Sequence, residues 1–224
     1  MTAFVFPGQG SQFVGMAKDF YDNFSVARRI FEEIQDYVKL DLKEIIFENK
    51  ENLINITNYT QISIFAASVS IFKTYQEVSD LQINDINFML GHSLGEYSAL
   101  ACSQKLSLKS CSEILKKRGE LMNNAVLPNS TGMAALIGKS SKDIQKIIDH
   151  NKLNLEIAND NSPIQIVISG EVDELNQSEK LFLSNNIKKF VKLNVSSAFH
   201  SKFMKQAQKE LNIYIQNLDF FQND

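Results

Sequence analysis

The hydrophobic positions of the chain form short apolar runs that alternate with longer stretches of helical spacing. Runs at Ala3–Phe6 and 86–90 predict buried strands, because each is only a few residues long and leads into a glycine turn. Helical spacing predicts helices over 25–38, 60–75 and 107–124, the first with Ser25 as its N-cap. Strand, glycine turn and helix in this order predict an α/β core with parallel strands.

The pattern changes after position 130. Strands are predicted at 132–138, 155–159, 164–169 and 188–195, and helices at 142–150 and 173–183. This β-α-β-β-α-β order is the ferredoxin-like pattern, and a final helix is predicted over 201–218. We therefore expect residues 1–130 to form the first part of a large α/β core, 131–196 a ferredoxin-like subdomain, and 197–224 a return to the core.

Composition and charge narrow the class of protein. The 224 residues are 44% hydrophobic and 22% charged, as in globular domains, and the net charge of −3 argues against nucleic acid as a partner. No run reaches the ~18 to 20 apolar residues of a membrane helix, and the N-terminus has no basic leader. Two cysteines, Cys102 and Cys111, make neither a CxxC pair nor a disulfide framework. We expect a cytoplasmic protein with reduced thiols, no membrane partner and no metal site.

A glycine-flanked serine gives the strongest chemical signal. Residues 91–95 read Gly-His-Ser-Leu-Gly, the G-x-S-x-G pattern of a nucleophile elbow, with a predicted strand before it and a helix after it. The glycines permit a sharp turn that exposes the hydroxyl of Ser93, and the helix N-terminus directs N–H groups toward a developing oxyanion. The alternative is a glycine-serine turn without chemistry.

Three histidines are candidates for the base that a serine nucleophile needs. His92 adjoins Ser93, so its side chain should point away and either support the turn or line the pocket. His150 ends a predicted helix, where a cation suits the helix dipole. His200 follows the last strand of the small subdomain and by elimination is the best general base.

An arginine occupies an apolar helical stripe. Leu108, Cys111, Leu115, Arg118 and Met122 are spaced by three and four residues and share one helix face. A guanidinium on such a face must pair with an anion or extend to solvent, because burying it unpaired is costly. The anion is either a structural carboxylate or the carboxylate of a substrate, and the spacing does not decide between them.

Several separated motifs stand out along the chain. They are Phe-Pro-Gly-Gln-Gly-Ser-Gln at 6–12, Gly-His-Ser-Leu-Gly-Glu-Tyr-Ser-Ala-Leu at 91–100, Arg-Gly at 118–119, Asn-Ser-Pro at 161–163 with Gln165 and Val-Ile-Ser-Gly at 167–170, and Ala-Phe-His-Ser at 198–201. Together they resemble one enzyme family, the malonyl-CoA:acyl carrier protein transacylases and the acyltransferase domains of fatty-acid and polyketide synthases. The resemblance runs from Ala3 to the end of the chain, with the motifs in the family's order.

The resemblance implies a role for each matching residue. Ser93 would carry the acyl group, with His200 as its base and acid. The backbone N–H groups of Gln9 and Leu94 would form the oxyanion hole, and Arg118 would hold the malonyl carboxylate.

Further expectations follow from the same resemblance. Phe199 would favour malonyl over methylmalonyl groups, because its ring fills the space that an α-methyl group needs. Gln61 matches a family position near the site. His92, beside Ser93, is also a candidate for substrate binding. The implied reaction transfers malonyl from malonyl-CoA to the phosphopantetheine thiol of acyl carrier protein in fatty-acid biosynthesis, without a cofactor. The implied fold is a hydrolase-like parallel-sheet core with a ferredoxin-like insert, and a monomer is expected.

The chain departs from the family at two places. Positions 163–165 read Pro-Ile-Gln where the family has Pro-Gly-Gln. Family members also continue beyond the position of Asp224 with another core strand, helices and a glutamine that orients the catalytic histidine. We therefore expect a C-terminally truncated member. Two alternatives stay open: a serine esterase or thioesterase, which shares the elbow, and an inactive remnant that at most binds carrier protein or coenzyme A.

Overall fold

The computed structural model describes residues 1–217, and these form two compact units. The first unit comprises Met1–Glu120 together with the described residues from 211 onward, and the second comprises Leu121–Glu210. Each unit has its own hydrophobic core. The described residues form one parallel and one antiparallel sheet with helices, which confirms the predicted α/β class.

The first unit contains two strands and most of the long helices. The strands are β1 (Ala3–Phe6) and β2 (Phe88–Gly91). The helices are α1 (Lys18–Asn23), α2 (Ser25–Val38), α3 (Thr57–Ser79), α4 (Gly95–Cys102) and α5 (Leu108–Asn123), of which α5 extends into the second unit. Shorter turns of π- or 3₁₀-helix lie at Glu44–Glu48, Leu53–Asn55 and Ile83–Asp85.

The two strands of the first unit pair in parallel, as the strand–turn–helix order predicts. Phe4 packs its ring edge-on against Phe72 of α3, with the ring centroids 5.0 Å apart. Side chains on the opposite face of the sheet, including Val5, Phe88 and Leu90, are exposed. The pair therefore buries one face and leaves an apolar face accessible, which is unusual for parallel strands.

The helices of this unit pack their apolar positions into one core. Helix α3 is buried along nearly its whole length because Ile, Phe, Ala and small polar residues occupy all its faces. Ser107 caps α5, its Oγ accepting a hydrogen bond from the Ser110 N–H at 2.9 Å. The prediction for Ser25 is wrong: Phe24 occupies the N-cap position, and Ser25 is the first helical residue.

The second unit follows the predicted β-α-β-β-α-β order. Its elements are β3 (Thr131–Ile137), α6 (Ser141–His150), β4 (Leu155–Ser162), β5 (Gln165–Glu171), α7 (Val172–Ser184) and β6 (Lys189–Lys192). The strands form an antiparallel sheet in the order β4-β5-β3-β6, so β3 pairs with both β5 and β6. Their alternate apolar residues pack against α6 and α7 around Phe182.

The C-terminal helix differs slightly from the prediction. A 3₁₀ turn at Lys202–Met204 precedes α8 (Lys205–Gln216), because Ser201 caps that turn through the N–H of Phe203. Position 218 of the predicted helix, and 219–224 after it, lie outside the described residues. None of the helices within 1–217 combines the length and apolar character needed to cross a bilayer.

Candidate active site

The elbow at Ser93 is a tight turn between β2 and α4. Ser93 has a positive φ of 54°, a backbone conformation that non-glycine residues seldom adopt and that often marks a functional site. A Cβ on Gly91 would overlap the backbone of Gly95, and one on Gly95 would overlap the carbonyl of Phe6. Both positions therefore need glycine, so that the turn can fold tightly at the end of the sheet.

Two backbone N–H groups near the elbow, those of Leu94 and Gln9, are not used in the backbone hydrogen bonds of the described chain. Gly95 donates to the His92 carbonyl at 3.0 Å, Glu96 to Ser93 at 3.1 Å and Tyr97 to Leu94 at 3.1 Å. These bonds use the first N–H groups of α4 but not that of Leu94. The Gln9 N–H likewise makes no backbone hydrogen bond within the described chain. Both groups can therefore serve as hydrogen-bond donors to a ligand.

Arg118 binds directly to the serine. Its Nη2 donates to the Ser93 Oγ at 2.9 Å, and its Nη1 donates to the Gln61 Oε1 at 2.6 Å. Gln61 is fully buried on α3, and Arg118 lies on the buried stripe of α5 between Leu115 and Met122. The structure thus brings Ser93, Arg118 and Gln61 together, although the sequence left the arginine's partner open.

The guanidinium of Arg118 is desolvated without a carboxylate partner. Burial lowers its pKa, while Tyr97 and Glu96 act in the opposite direction. Within residues 1–217 no carboxylate forms an ion pair with it, and its hydrogen-bond acceptors are a neutral amide and a hydroxyl. Of the two alternatives left open by the spacing, a structural ion pair is therefore excluded for the described residues.

Tyr97 is a residue of this site that sequence reasoning did not identify. Its ring centroid lies 5.9 Å from the Cζ of Arg118, within the range of a cation–π contact. Burial raises the pKa of the Tyr97 hydroxyl, and the Arg118 charge opposes that rise. The signal was present in the sequence, because Tyr97 lies four residues after Ser93, in the first turn of the helix that follows the elbow.

The loop after β1 is anchored on the start of α3. The Gln9 Nε2 donates to the Thr57 Oγ1 at 3.3 Å, and the Gln12 Nε2 donates to the Asn55 Oδ1 at 3.0 Å. The His92 imidazole fills the space beside Gly8 that a Cβ would occupy. His92 thus packs against the loop, while much of its surface remains exposed.

Phe199 and His200 belong to the second unit. The Phe199 carbonyl accepts a hydrogen bond from the Ser169 Oγ at 2.8 Å, and the neighbouring Ala198 N–H donates to the Thr131 Oγ1 at 3.0 Å. These bonds fix the segment on β3 and β5 and bury the Phe199 ring. His200 follows with a positive φ of 54° and an exposed side chain.

The remaining titratable candidates are one exposed histidine and two buried thiols. His150 is exposed in the last turn of α6, and Cys102 and Cys111 are buried free thiols whose pKa values are raised by desolvation. No group of three or more His, Cys, Asp or Glu side chains within 1–217 could hold a metal ion.

The acyl transferase domain family matches residues 3–219 of the chain. The malonyl CoA-acyl carrier protein transacylase of Bacillus subtilis is 37% identical over 212 residues, which are 93% of this chain and 66% of that protein.

Solved structures of proteins with related names also match the chain. An acyl-carrier-protein-S-malonyltransferase from Bartonella henselae matches with a TM-score of 0.91 at 36% identity, covering 98% of this chain and 71% of that one. A type II polyketide malonyl-transacylase in complex with its acyl-carrier protein matches with a TM-score of 0.91 at 33% identity, with 98% and 71% coverage. The chain thus spans about two thirds of the length of these proteins, and it belongs to the acyl transferase family that includes the malonyl CoA-acyl carrier protein transacylases.

Proposed function

We propose that this chain transfers a malonyl group from malonyl-CoA to the phosphopantetheine thiol of acyl carrier protein, in fatty-acid biosynthesis. The observation that carries the proposal is the Arg118 guanidinium, buried beside Ser93 with neutral partners only. A desolvated cation is costly unless an anion joins it, so the site favours an acyl group with its own carboxylate. Malonyl meets that requirement, whereas acetyl does not.

The reaction proceeds in two halves through an ester on Ser93. The Ser93 Oγ attacks the thioester carbonyl while His200 takes its proton, and the oxyanion accepts hydrogen bonds from the Gln9 and Leu94 N–H groups. The carbon–sulfur bond then breaks, and His200 returns the proton to the thiolate of coenzyme A. The phosphopantetheine thiol attacks the malonyl ester by the same steps in reverse order, which restores the serine. Since the serine is the nucleophile, no cofactor takes part.

The other site residues act on the acyl group. The Arg118 guanidinium, oriented by Gln61, holds the malonyl carboxylate through its planar pair of N–H groups. The Phe199 ring restricts the space beside the α-carbon and so disfavours methylmalonyl. His92 supports the loop that carries Gln9.

We also infer that the fold combines a hydrolase-like parallel core with a ferredoxin-like insert. The β-α-β-β-α-β element order and the antiparallel strand order β4-β5-β3-β6 support the insert. The strand–elbow–helix passage from β2 to α4 supports the hydrolase-like core. We place the core in residues 1–130 and 197–224 and the insert in 131–196, and we expect a monomer.

Intact-mass analysis after mixing the chain with malonyl-CoA tests the nucleophile. We expect a malonyl adduct on the parent chain and none on Ser93→Ala. Ser98→Ala is the matched control, because Ser98 lies on the helix that follows the elbow, with its Oγ buried and without a hydrogen-bond partner. No adduct on the parent, or an adduct that survives in Ser93→Ala, would refute the assignment.

The acceptor distinguishes transfer from hydrolysis. Adding holo acyl carrier protein to the malonylated chain should move the malonyl group onto the carrier. Release of malonate at the same rate with or without carrier protein would instead indicate an esterase or thioesterase. A parent chain that melts without cooperativity and forms no adduct would indicate an inactive remnant.

Selectivity tests Arg118. Arg118→Ala should lose malonyl transfer and tolerate acetyl, because only malonyl uses the guanidinium. Arg29→Ala is a suitable control, since Arg29 is exposed and lies 4.0 Å from Glu33 on the surface of α2. If Arg118→Ala lowered both acyl transfers equally, Arg118 would have a structural role only.

A further inference from the structure

Helix α5 passes very close to the first turn of α3 at Gly119. A Cβ added at Gly119 would lie 2.7 Å from the Asn58 Cα, 3.2 Å from the Asn58 carbonyl oxygen and 3.3 Å from the Thr57 carbonyl oxygen. All three neighbours are backbone atoms, which no side-chain rotation can move aside. The two helices therefore approach to this distance only because position 119 has no side chain.

The same turn of α3 holds two parts of the site. Thr57 accepts the hydrogen bond from the Gln9 side chain at 3.3 Å, and Gln61, one turn further, accepts the 2.6 Å hydrogen bond from Arg118. Arg118 immediately precedes Gly119 on α5. The separation of the two helices at Gly119 thus sets the distance between the guanidinium and the amide that orients it.

We propose that Gly119 is a positioning residue for acyl selectivity: by letting α5 contact the α3 backbone, it keeps Arg118 hydrogen-bonded to Gln61 and directed at Ser93. This inference rests on the proposed malonyl transfer. With an alanine at 119, the two helices must move apart by about 0.7 Å before its Cβ lies at an ordinary contact distance of 3.4 Å from the Asn58 Cα. The same displacement along the Arg118–Gln61 hydrogen bond would lengthen it from 2.6 Å to about 3.3 Å, which turns a short hydrogen bond into a weak one like that between Gln9 and Thr57.

The test compares Gly119→Ala with the parent by the rates of Ser93 acylation from malonyl-CoA and from acetyl-CoA. We expect the malonyl-to-acetyl preference to fall about fivefold or more, because the variant loses the contribution of one hydrogen bond and also displaces the guanidinium itself. The acetyl rate should stay within about threefold of the parent, since acetyl does not use the guanidinium.

Two controls separate the backbone contact from other causes. Gly132→Ala introduces a Cβ 3.5 Å from Leu175 and 3.6 Å from Val172, which is ordinary contact with side chains, and should preserve the preference. Asn58→Ala removes a side chain whose buried Oδ1 has no hydrogen-bond partner but keeps the backbone that meets Gly119, so it should also preserve the preference.

The outcomes separate this inference from the proposed function. A parent without a Ser93 adduct overturns the malonyl transfer and this inference with it. A malonylated parent whose preference is unchanged in Gly119→Ala, or whose two acyl rates fall equally, overturns the role of Gly119 alone. If Gly119→Ala does not melt cooperatively, Gln61→Met replaces it, because it breaks the same hydrogen bond without a clash. An unchanged preference in Gln61→Met then overturns the inference.

Discussion

A carboxylate introduced at position 61 should form an ion pair with the Arg118 guanidinium, whose charge we propose binds the carboxylate of the substrate. Gln61→Glu is nearly isosteric, and the Gln61 Oε1 already accepts from Arg118 at 2.6 Å. The variant would therefore form an ion pair in a buried position without adding volume. With its charge compensated, the guanidinium should bind a second carboxylate weakly, and the malonyl preference should fall.

The size of the effect follows from the contact. A hydrogen bond to a charged group contributes about 1.5–3 kcal/mol net, and the new carboxylate also repels the malonyl carboxylate. Losing about 2–3 kcal/mol corresponds to roughly a 30- to 150-fold loss of kcat/KM for malonyl-CoA. The acetyl group carries no charge, so its kcat/KM should change little. Gln61→Met removes the acceptor without adding a charge, and its loss for malonyl should be near 1 kcal/mol, about fivefold.

Rapid-quench intact-mass measurement of Ser93 acylation from each acyl-CoA is a suitable assay. Thermal melts of both variants show whether the new charge has disturbed the fold. The reasoning fails if Gln61→Glu keeps the parent's malonyl-to-acetyl ratio, or if Gln61→Met lowers that ratio as much as Gln61→Glu does. Either result would mean that the free charge of Arg118 does not select the acyl group.

Three further predictions concern stability and surface. Burial raises the pKa of Cys111 to about 12 and raises that of Cys102 further, so above pH 9 the unfolded chain binds fewer protons than the folded one. The free energy of unfolding should therefore fall by about 1 kcal/mol per pH unit for each thiol. Urea titrations of a Cys102→Ala/Cys111→Ala variant should show a shallower alkaline decline than those of the parent. Ser107→Ala should lower the free energy of unfolding by about 1 kcal/mol through loss of the cap on α5, whereas Ser107→Asp should restore most of it in the same urea titrations. Leu90 is 55% exposed on the open face of β2. Leu90→Ser should therefore change the free energy of unfolding by less than about 0.5 kcal/mol and reduce binding of a hydrophobic dye. A larger destabilisation would show that this face is covered.

The order of elements could be predicted because local signals mark it. Apolar runs ending in glycine identified β1 and β2, and the alternation after position 130 identified the β-α-β-β-α-β unit. Boundaries were less certain where the first turn is polar: α3 begins at Thr57, three residues before its apolar run. The π-helical turn at Glu44–Glu48 could not be predicted, because hydrophobic spacing does not encode its hydrogen-bond register.

The site was predictable only as far as its motifs. The elbow identified Ser93, since its glycines and flanking elements are adjacent in sequence. The partnership of Gln9 with Thr57 spans 48 residues, and that of Arg118 with Gln61 spans 57, so no periodicity relates them. Such pairs depend on how helices pack, which one sequence does not specify.

The charge of Arg118 links these observations to function. An arginine evolved for stability would be expected to face an aspartate or glutamate, because a buried unpaired cation destabilises the fold. Here its hydrogen-bond partners on α3 and at the elbow are an amide and a hydroxyl, which orient the guanidinium without forming an ion pair, and Glu96 only partly opposes the effect of burial on its pKa. The fold thus carries an electrostatic cost beside Ser93 that a carboxylate-bearing acyl group would reduce on binding. On this argument the same interaction stabilises the loaded enzyme and rejects acetyl, so malonyl-CoA should raise the Tm of Ser93→Ala more than acetyl-CoA does, and Arg118→Ala should abolish that difference.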